Sequence, residues 1–340
     1  LLLLKQCWTE SLAHSLNNIN NNKNNMIVTP TPNTCSPSLL SPPMNIVNPD
    51  DAVNGRPVSD SSNSNNSHNN EEDPATTGTD IFSKLCQEKY YGFQQLGERK
   101  VWYSDAASAY NSYRPKYPKR LLQQAVQHIS GKRILEVGSG PGTASVPLLD
   151  LGYNLHCIEP NPDFCKVCRK NVKEYGSQVN VETVSLEEAV LKEGSYDVVV
   201  AATSIHWIPF DTAFAKCAKA LKPRGTLVLL WNMTMNPTVP QVMDRILDVH
   251  TRTLSRLDTS ENGQFSLWHF WKLGSDASKL ATDVEGKLDA TGLFHEYKTS
   301  QTRTQVRYTA NEFVGVLSTY SPYIRLSESV RTELFHRLVQ

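Results

Sequence analysis

The sequence predicts an α/β fold, in which a doubly wound parallel sheet carries helices on both faces. Three observations lead to this prediction. Strand-length runs rich in β-branched and aromatic residues alternate along the chain with segments of helical spacing. These runs are continuously apolar, as strands buried on both faces are. A glycine-rich turn joins the first run to the segment that follows it.

Composition excludes several classes of function. The 340 residues contain 34 Lys and Arg against 34 Asp and Glu, so no bulk charge favours binding to nucleic acid or a membrane surface. The apolar run Leu1 to Leu4 is far too short to span a membrane. Seven scattered cysteines indicate reduced thiols and a cytoplasmic protein. The sequence leaves the oligomeric state open.

The N-terminal part of the chain is expected to be a disordered tail. Asn, Ser, Pro, Thr and Asp dominate residues 17–79, and such a composition buries too little apolar surface to offset chain entropy. We therefore assign residues 1–79 to an Asn/Ser-rich tail and residues 80–340 to one folded domain. Its core is expected at 131–231, with a helical insert and a late strand at 232–340.

The core elements follow in order after a leading helix that begins at Pro118, a residue suited to a first helical turn. Strands are expected at Arg133 to Val137, Leu155 to Ile158, Val179 to Val184, Tyr196 to Ala202 and Thr226 to Trp231. Helices are expected between them at Thr143 to Leu151, Pro162 to Tyr175 and Asp211 to Leu221.

After the fifth strand the pattern changes to helices. An amphipathic helix is expected at Gln241 to Leu257, followed by the aromatic residues Phe265, Trp268, Phe270 and Trp271, which either pack the insert or line an acceptor pocket. A further helix ends near Gly292, and His295 to Tyr308 alternates like a strand. Thr309 to Glu312 has the pattern of a capping box, and Ser327 suits the cap of the last helix.

The glycine-rich turn carries the chemistry. It reads Glu136-Val-Gly-Ser-Gly-Pro-Gly-Thr143, and its glycines allow a ligand to approach the backbone closely. Glu159 ends the second strand, where a carboxylate can accept hydrogen bonds from both hydroxyls of a ribose. This pairing predicts a nucleoside ligand.

The spacing of the turn separates two cofactor classes. A dinucleotide site has the pattern Gly-x-Gly-x-x-Gly, whereas here the glycines stand at 138, 140 and 142. Glu136 would repel a pyrophosphate but attract the amino group of S-adenosylmethionine. S-adenosylmethionine is therefore the expected cofactor, and an NAD(P)-dependent oxidoreductase remains as the alternative.

Three segments resemble a known family. Ile134-Leu-Glu-Val-Gly-Ser-Gly-Pro-Gly-Thr143, Cys157-Ile-Glu-Pro160 and Ser195-Tyr-Asp-Val-Val-Val-Ala-Ala-Thr-Ser-Ile-His-Trp207 are similar to class I S-adenosylmethionine-dependent methyltransferases of the type 11 group. Tyr110 to Pro118 and Leu317 to Ser321 resemble a subgroup that includes proteins similar to trans-aconitate methyltransferase. The resemblance implies a Rossmann-like fold and methyl transfer to a small molecule, with a carboxylate as one candidate. A non-catalytic scaffold that binds S-adenosylmethionine is the second alternative.

The resemblance also implies roles for single residues in cofactor binding. The residues concerned are Glu136, Gly138, Ser139 and Gly140 for the methionine part, Glu159 for the ribose, Ser185, Leu186 and Glu187 beside the adenine, and Ala202 and Thr203 under the sulfonium.

Catalytic and acceptor-binding candidates lie on either side of that site. His206 follows the fourth strand and could take a proton from the acceptor, or could only shape the pocket. Tyr113 and Arg114, with Tyr110 and Tyr117, are expected to cover the cofactor, with Arg114 pairing a substrate carboxylate; ordinary packing of the leading helix is the alternative.

Two absences complete the sequence argument. The Asn/Asp-Pro-Pro-Tyr/Phe motif of enzymes that methylate amide or base nitrogens is missing after the fourth strand, which favours a small-molecule acceptor over nucleic acid. Cys165 and Cys168 have metal-ligand spacing but no matching second pair, so no metal is expected. Members of this family have an antiparallel seventh strand. We expect it to be missing here, because no strand-like segment follows Leu326. His295 to Tyr308 should then either pair imperfectly with the sheet or leave an unpaired edge beside Thr226 to Trp231.

Overall fold

A computed structural model describes residues 2–10, 96–234, 240–257 and 277–340. All of them belong to one compact unit of the chain, formed by residues 1–20 and 76–340. The expected tail at residues 17–79 and the aromatic residues between 265 and 271 lie outside the described residues. Within the described ranges, no helix is both long and apolar enough to cross a membrane.

The centre of the molecule is a seven-stranded sheet with the strand order β4-β3-β2-β5-β6-β1-β7. The strands are β1 (Leu2–Glu10), β2 (Arg133–Val137), β3 (Asn154–Ile158), β4 (Val179–Glu182), β5 (Tyr196–Ala202), β6 (Leu221–Thr234) and β7 (Lys298–Val306). Every neighbouring pair is parallel. The α/β fold class predicted from the sequence is confirmed.

The strand order positions the functional site. Strand β2 pairs with β3 on one side and with β5 on the other, so the chain reverses its direction of winding between β2 and β5. Loops at the carboxyl ends of the strands separate at such a switch point and leave a crevice for a ligand. The glycine-rich turn leaves β2 at this position.

Eleven helices are found among the described residues. They are α1 (Leu96–Val101), α2 (Ala107–Tyr113), α3 (Lys119–Val126), α4 (Ser145–Asp150), α5 (Pro162–Asn171), α6 (Phe210–Ala220), α7 (Pro240–Leu257), α8 (Ala277–Thr291), α9 (Ala310–Leu317), α10 (Ser321–Ile324) and α11 (Glu328–Val339). Two short 3₁₀ helices, Lys173–Gln178 and Ile205–Trp207, complete the set.

Two buried clusters cover the two faces of the sheet, as continuously apolar strands require. Ile134, Val198 and Val228 point to one face, where α3, α4 and α5 supply partners. Leu135 and Val199 point to the other, where α6 and α8 supply them. A third cluster joins α7, α9, α10 and α11.

The sequence predicted the edge of the sheet wrongly. No vacant lane exists beside β6, because residues 2–10 form β1 between β6 and β7. Leu4 is aligned with Leu230 of β6 on one side and with Ser300 of β7 on the other. The sheet therefore has seven strands, but the lane beside β6 holds a parallel strand rather than the antiparallel one of the family, and it comes from residues 2–10 of the segment assigned to the tail. Sequence periodicity could not show this pairing, because an open strand edge accepts any extended segment, however distant in the chain.

Local sequence signals predicted most element boundaries. Strands β2 and β5 have the expected bounds. The helix expected to run from Pro162 to Tyr175 is shorter and ends at Asn171, before the 3₁₀ segment in which Gly176 has a φ of 53°. The capping box at Thr309 and Glu312 is present, and the Ser327 side chain caps α11 by accepting from the Val330 N–H.

Candidate functional site

The glycine-rich turn folds back over the ends of β2 and β3. Gly138 and Gly140 have φ angles of 66° and 55°, in the left-handed region that favours glycine. A Cβ at Gly138 would lie 2.6 Å from the Cβ of Ser204, whereas the space around Gly140 is open for 4 Å. The turn is therefore held against the loop after β5 at Gly138 and presents an open backbone at Gly140.

Glu136 lies at the base of this turn and is completely buried. Its Oε2 accepts a hydrogen bond of 2.6 Å from Ser145 at the start of α4. Its Oε1 has no hydrogen-bond partner among the described residues. Burial raises the pKa of Glu136 to about 7, against the opposing effect of the Ser145 hydrogen bond. A donor or a cation placed on Oε1 would stabilise the ionised form.

Glu159 stands at the carboxyl end of β3, across from the turn. Its Oε2 accepts from the Gly140 N–H at 2.8 Å, and its Oε1 accepts from the Asn161 N–H at 2.8 Å. Burial raises its pKa to about 7, although both backbone hydrogen bonds act in the opposite direction. Each carboxylate oxygen can accept a second hydrogen bond, so the group remains able to bind hydroxyls.

Further polar atoms of the turn are enclosed. Ser139 Oγ and Thr143 Oγ1, like Glu136 Oε1, are buried and have no hydrogen-bond partner in the described part of the chain. A buried polar atom without a partner costs about 1–3 kcal/mol, and native proteins rarely keep several together. A ligand with hydrogen-bonding groups would satisfy these atoms, and the amino and carboxylate groups of an amino-acid moiety are groups of this kind.

The residues expected beside the adenine have different environments. Ser185 is buried and donates to Glu188 Oε2 at 3.0 Å. The side chain of Leu186 belongs to the apolar core, so only its backbone can border a ligand. Glu187 forms an ion pair with Arg99 of α1 at 2.9 Å, and the Arg99 guanidinium also donates to the Trp207 carbonyl. Helix α1 is thereby fastened to two loops of the site.

Two residues end β5 beside the turn. Ala202 is the last residue of the strand and is half-buried. Thr203 has a φ of 54°, which is uncommon for a residue other than glycine. Its Oγ1 makes a hydrogen bond of 2.6 Å with the Tyr117 hydroxyl and accepts from the Asn232 N–H at 3.1 Å. Asn232 was not among the residues predicted from the sequence, although its position directly after the apolar run Thr226 to Trp231 could have indicated it; in the structure it lies within β6, near its carboxyl end.

His206 lies in the 3₁₀ helix that follows β5, at a half-buried position. Desolvation lowers its pKa to about 4, so the imidazole is neutral at physiological pH. The Trp207 ring lies 6.1 Å from it, between centroids. A neutral imidazole can accept a proton, but it is a weaker base than a solvated histidine.

Tyr113 and Arg114 both contact the C-terminal helical region. The Tyr113 ring packs on Gly315 of α9, where an added Cβ would lie 2.5 Å from it. Arg114 donates to the side-chain and backbone oxygens of Thr319, at 2.7 and 2.8 Å. Its guanidinium also stacks on Tyr320, 3.8 Å from the ring centroid. Packing of the leading segment, the alternative considered for these residues, is what the geometry favours.

An aromatic cluster that the sequence did not single out as one group joins the leading segment, α5 and the 3₁₀ helix after β5. Its members are Tyr103, Tyr110, Phe164 and Trp207. Ring centroids of contacting members are 5.1 to 5.7 Å apart. Asn161, which follows Glu159, donates from its side chain to Ser104 at 3.3 Å and so links the cluster to the end of β3. The cluster closes the site from the side of the leading helices.

Among the described residues, no group of three or more His, Cys, Asp and Glu side chains could hold a metal ion. Cys165 and Cys168 lie inside α5 and are fully buried. The Cys165 thiol is directed to the Glu159 carbonyl at 3.2 Å.

Comparison with known proteins finds similar sequences in the region that contains the turn. Residues 135–229 match a family model described as a methyltransferase domain. An uncharacterized methyltransferase of Mycobacterium tuberculosis is 29% identical over 134 residues, which cover 38% of this chain and 51% of that protein. A ubiquinone biosynthesis O-methyltransferase of Xanthomonas axonopodis pv. citri is 34% identical over 132 residues, which cover 38% and 52%.

Similarity to solved structures is limited. The CcbJ methyltransferase from Streptomyces caelestis has 24% identity and a TM-score of 0.34, over 38% of this chain and 57% of that one. The chain spans about half the length of the curated relatives it matches.

Proposed function

We propose that this chain, whose residues 135–229 form the core of a class I S-adenosylmethionine-dependent methyltransferase domain, transfers a methyl group to a small molecule. The observation that carries the proposal is the coincidence of two features. The family match covers the turn that leaves β2, and that turn holds the buried Glu136 with an unpartnered carboxylate oxygen among the described residues. An oxidoreductase that binds a pyrophosphate would not place a carboxylate there.

The residues at the turn fit S-adenosylmethionine. Glu136 Oε1 and Ser139 Oγ are the acceptors for its amino-acid part, and Gly138 and Gly140 allow close approach of the backbone. Glu159 is the acceptor for the ribose hydroxyls. When bound, the cofactor supplies a methyl group on a positively charged sulfur, which is already an activated leaving group.

The protein's own part in such a transfer is to align the two reactants and exclude water. The aromatic cluster and helix α1, held by Arg99 to Glu187 and to the Trp207 carbonyl, enclose the cofactor side. Thr203 and His206 border the side from which an acceptor approaches, after β5. His206 is neutral and takes the acceptor proton where the nucleophile must lose one.

The chemistry of the acceptor is a finer proposal. A carboxylate was expected from Arg114, but Thr319 and Tyr320 already engage that guanidinium, which removes the support for that pairing. The balanced charge of the chain supports neither a nucleic acid nor a membrane as substrate. The four cysteines described as free are all buried, which agrees with a cytoplasmic location.

Isothermal titration of the chain with S-adenosylmethionine, S-adenosylhomocysteine and NADH tests the proposal. We expect micromolar binding of the first two and none of NADH. Glu159→Ala removes the ribose acceptor and should weaken binding at least about tenfold, the loss expected of a charged hydrogen bond. Glu174→Ala, at an exposed position away from the turn, is the matched control and should leave binding unchanged.

The two alternatives predict different titrations. Binding of NADH alone would establish the oxidoreductase and contradict the methyltransferase. Tight binding of S-adenosylmethionine without methyl transfer to any acceptor would establish the scaffold.

A further inference from the structure

The strand order separates the site into a cofactor side and an acceptor side. The glycine-rich turn follows β2, and Glu159 follows β3, so the cofactor lies over that half of the sheet. The opposite half offers the ends of β5 and β6, where Thr203 and Asn232 stand side by side. An acceptor that approaches the methyl group meets these two residues.

The amide of Asn232 has a fixed orientation. Its side-chain nitrogen donates to the Pro115 carbonyl at 3.0 Å, and a carbonyl oxygen can only accept. The Asn232 backbone N–H is held by Thr203 Oγ1 at 3.1 Å. The amide therefore cannot turn over without breaking the bond to Pro115, and its oxygen must point away from that carbonyl.

That oxygen is buried and lacks a hydrogen-bond partner in the part of the chain that the structure describes. A carbonyl oxygen accepts hydrogen bonds and never donates them, so only a group that carries a hydrogen can satisfy it. Neutral hydroxyls and amine N–H groups meet this condition, whereas an ionised carboxylate offers only lone pairs and would be repelled. His206 is too weak a base to remove a proton from a methylated amine, which favours the hydroxyl.

The surroundings of Asn232 also disfavour an anion. Tyr117, which is hydrogen-bonded to Thr203, keeps its proton because burial raises its pKa. Both cations that flank Pro115 are already engaged, since Arg114 is held by Thr319 and by the Tyr320 ring, and Lys116 donates to the Asn111 carbonyl. A buried anion without a paired cation would carry a large desolvation penalty.

We infer that Asn232 determines acceptor specificity by receiving the hydrogen of a neutral hydroxyl group, so that the enzyme forms methyl ethers. The inference rests on the proposed function and names the substrate class of the same site. In the step, a lone pair of the hydroxyl oxygen forms the new bond to the methyl carbon. The electrons of the broken carbon–sulfur bond remain on sulfur, and S-adenosylhomocysteine leaves. Before the transfer the hydroxyl hydrogen is held by Asn232 Oδ1. Once the oxygen is methylated and positively charged, this same hydrogen leaves that hydrogen bond as a proton, which passes to His206 and then to water.

The proton transfer is energetically reasonable. The oxygen that has just been methylated is far more acidic than an imidazolium whose pKa is about 4, so even this weak base accepts its proton. Asn232 itself takes no proton and acts only through its hydrogen bond.

The experiment incubates the purified chain with S-adenosylmethionine carrying a deuterated methyl group and a protein-free cell extract as the source of acceptors. Alkaline hydrolysis of the labelled products then releases methanol from methyl esters and leaves methyl ethers intact. Mass spectrometry distinguishes O-methyl from N-methyl products. We expect base-stable label on oxygen. Label released as methanol, or label on nitrogen, would overturn the inference and leave the proposed function standing. Absence of any label would contradict the proposed function, and the inference with it.

Two variants connect the result to the residue. Asn232→Leu removes the amide oxygen and should lower ether formation at least about tenfold, the value of one neutral hydrogen bond in an enclosed site. Asn232→Asp retains an accepting oxygen and should restore part of that loss. Titration with S-adenosylhomocysteine should give the same affinity for all three proteins, which shows that both variants fold. Full ether formation by Asn232→Leu would refute the role of this residue.

Discussion

Gly138→Ala tests whether the glycine-rich turn is held by contact with the loop after β5. The new Cβ would lie 2.6 Å from the Cβ of Ser204, well inside the 3.5–4.0 Å of an ordinary carbon contact. The φ of 66° adds strain for any residue that has a Cβ. Gly140→Ala is the matched control, because its φ of 55° is similar and nothing lies within 4 Å.

The two contributions give different magnitudes for the two variants. The left-handed backbone costs about 1–2 kcal/mol in each, and overpacking adds roughly 1–3 kcal/mol at Gly138 only. The free energy of unfolding should therefore fall by about 2–5 kcal/mol in Gly138→Ala. At roughly 2–4 °C per kcal/mol for a domain of this size, its Tm should fall further than that of the control by about 2–12 °C.

Thermal and urea unfolding of the two variants measure the difference. A third protein, Gly138→Ala with Ser204→Gly, removes the opposing Cβ and should recover the overpacking part in a double-mutant cycle, after correction for Ser204→Gly alone. Equal stability losses in both variants, or no coupling to Ser204, would refute the contact argument.

The remaining predictions concern stability elsewhere in the chain. Burial holds the folded pKa of Glu136 at about 7, above its ordinary value of 4.5, so the folded state binds more protons between these values. The free energy of unfolding should therefore fall as the pH rises from about 4.5 to 7. Urea denaturation at pH 4.5 and 8 measures this fall, which Glu136→Gln should reduce by roughly 2–3 kcal/mol. Gly315→Ala should destabilise the chain by about 1–3 kcal/mol, because the Cβ meets the Tyr113 ring at 2.5 Å, whereas Gly286→Ala in the open should raise the Tm. Tyr323→Phe leaves a buried histidine Nε2 without its 2.8 Å hydrogen bond and should cost about 1–3 kcal/mol by urea titration.

The sequence determined the layered core because local signals suffice there. Period and residue type predict a buried parallel strand without knowledge of its partner, so β2 and β5 have the expected bounds. The glycine-rich turn and Glu159 were equally visible, since left-handed φ angles demand glycine and a strand end fixes where a carboxylate lies. For this reason the sequence alone predicts where the turn and Glu159 lie in the fold.

Tertiary structure alone decided what distant segments do to each other. Residues 2–10 fill the lane beside β6, and Arg114 donates a hydrogen bond to Thr319. The partner in each case lies about 200 residues or more away in the chain. Sequence periodicity does not predict such a contact. The entropic cost of closing the loop between two partners depends only weakly on its length, so distance along the chain does not indicate which segments will pair.

The acceptor side of the site, as proposed here, also depends on tertiary structure. Asn232 lies near the carboxyl end of β6, as polar residues of many strands do, and its type alone does not make it a recognition group. The amide can act as a recognition group because the carbonyl of Pro115, between α2 and α3, accepts a hydrogen bond from its nitrogen. This hydrogen bond directs the amide oxygen away from Pro115. Sequence sets which atoms can donate and accept; only the fold decides which of them are already occupied.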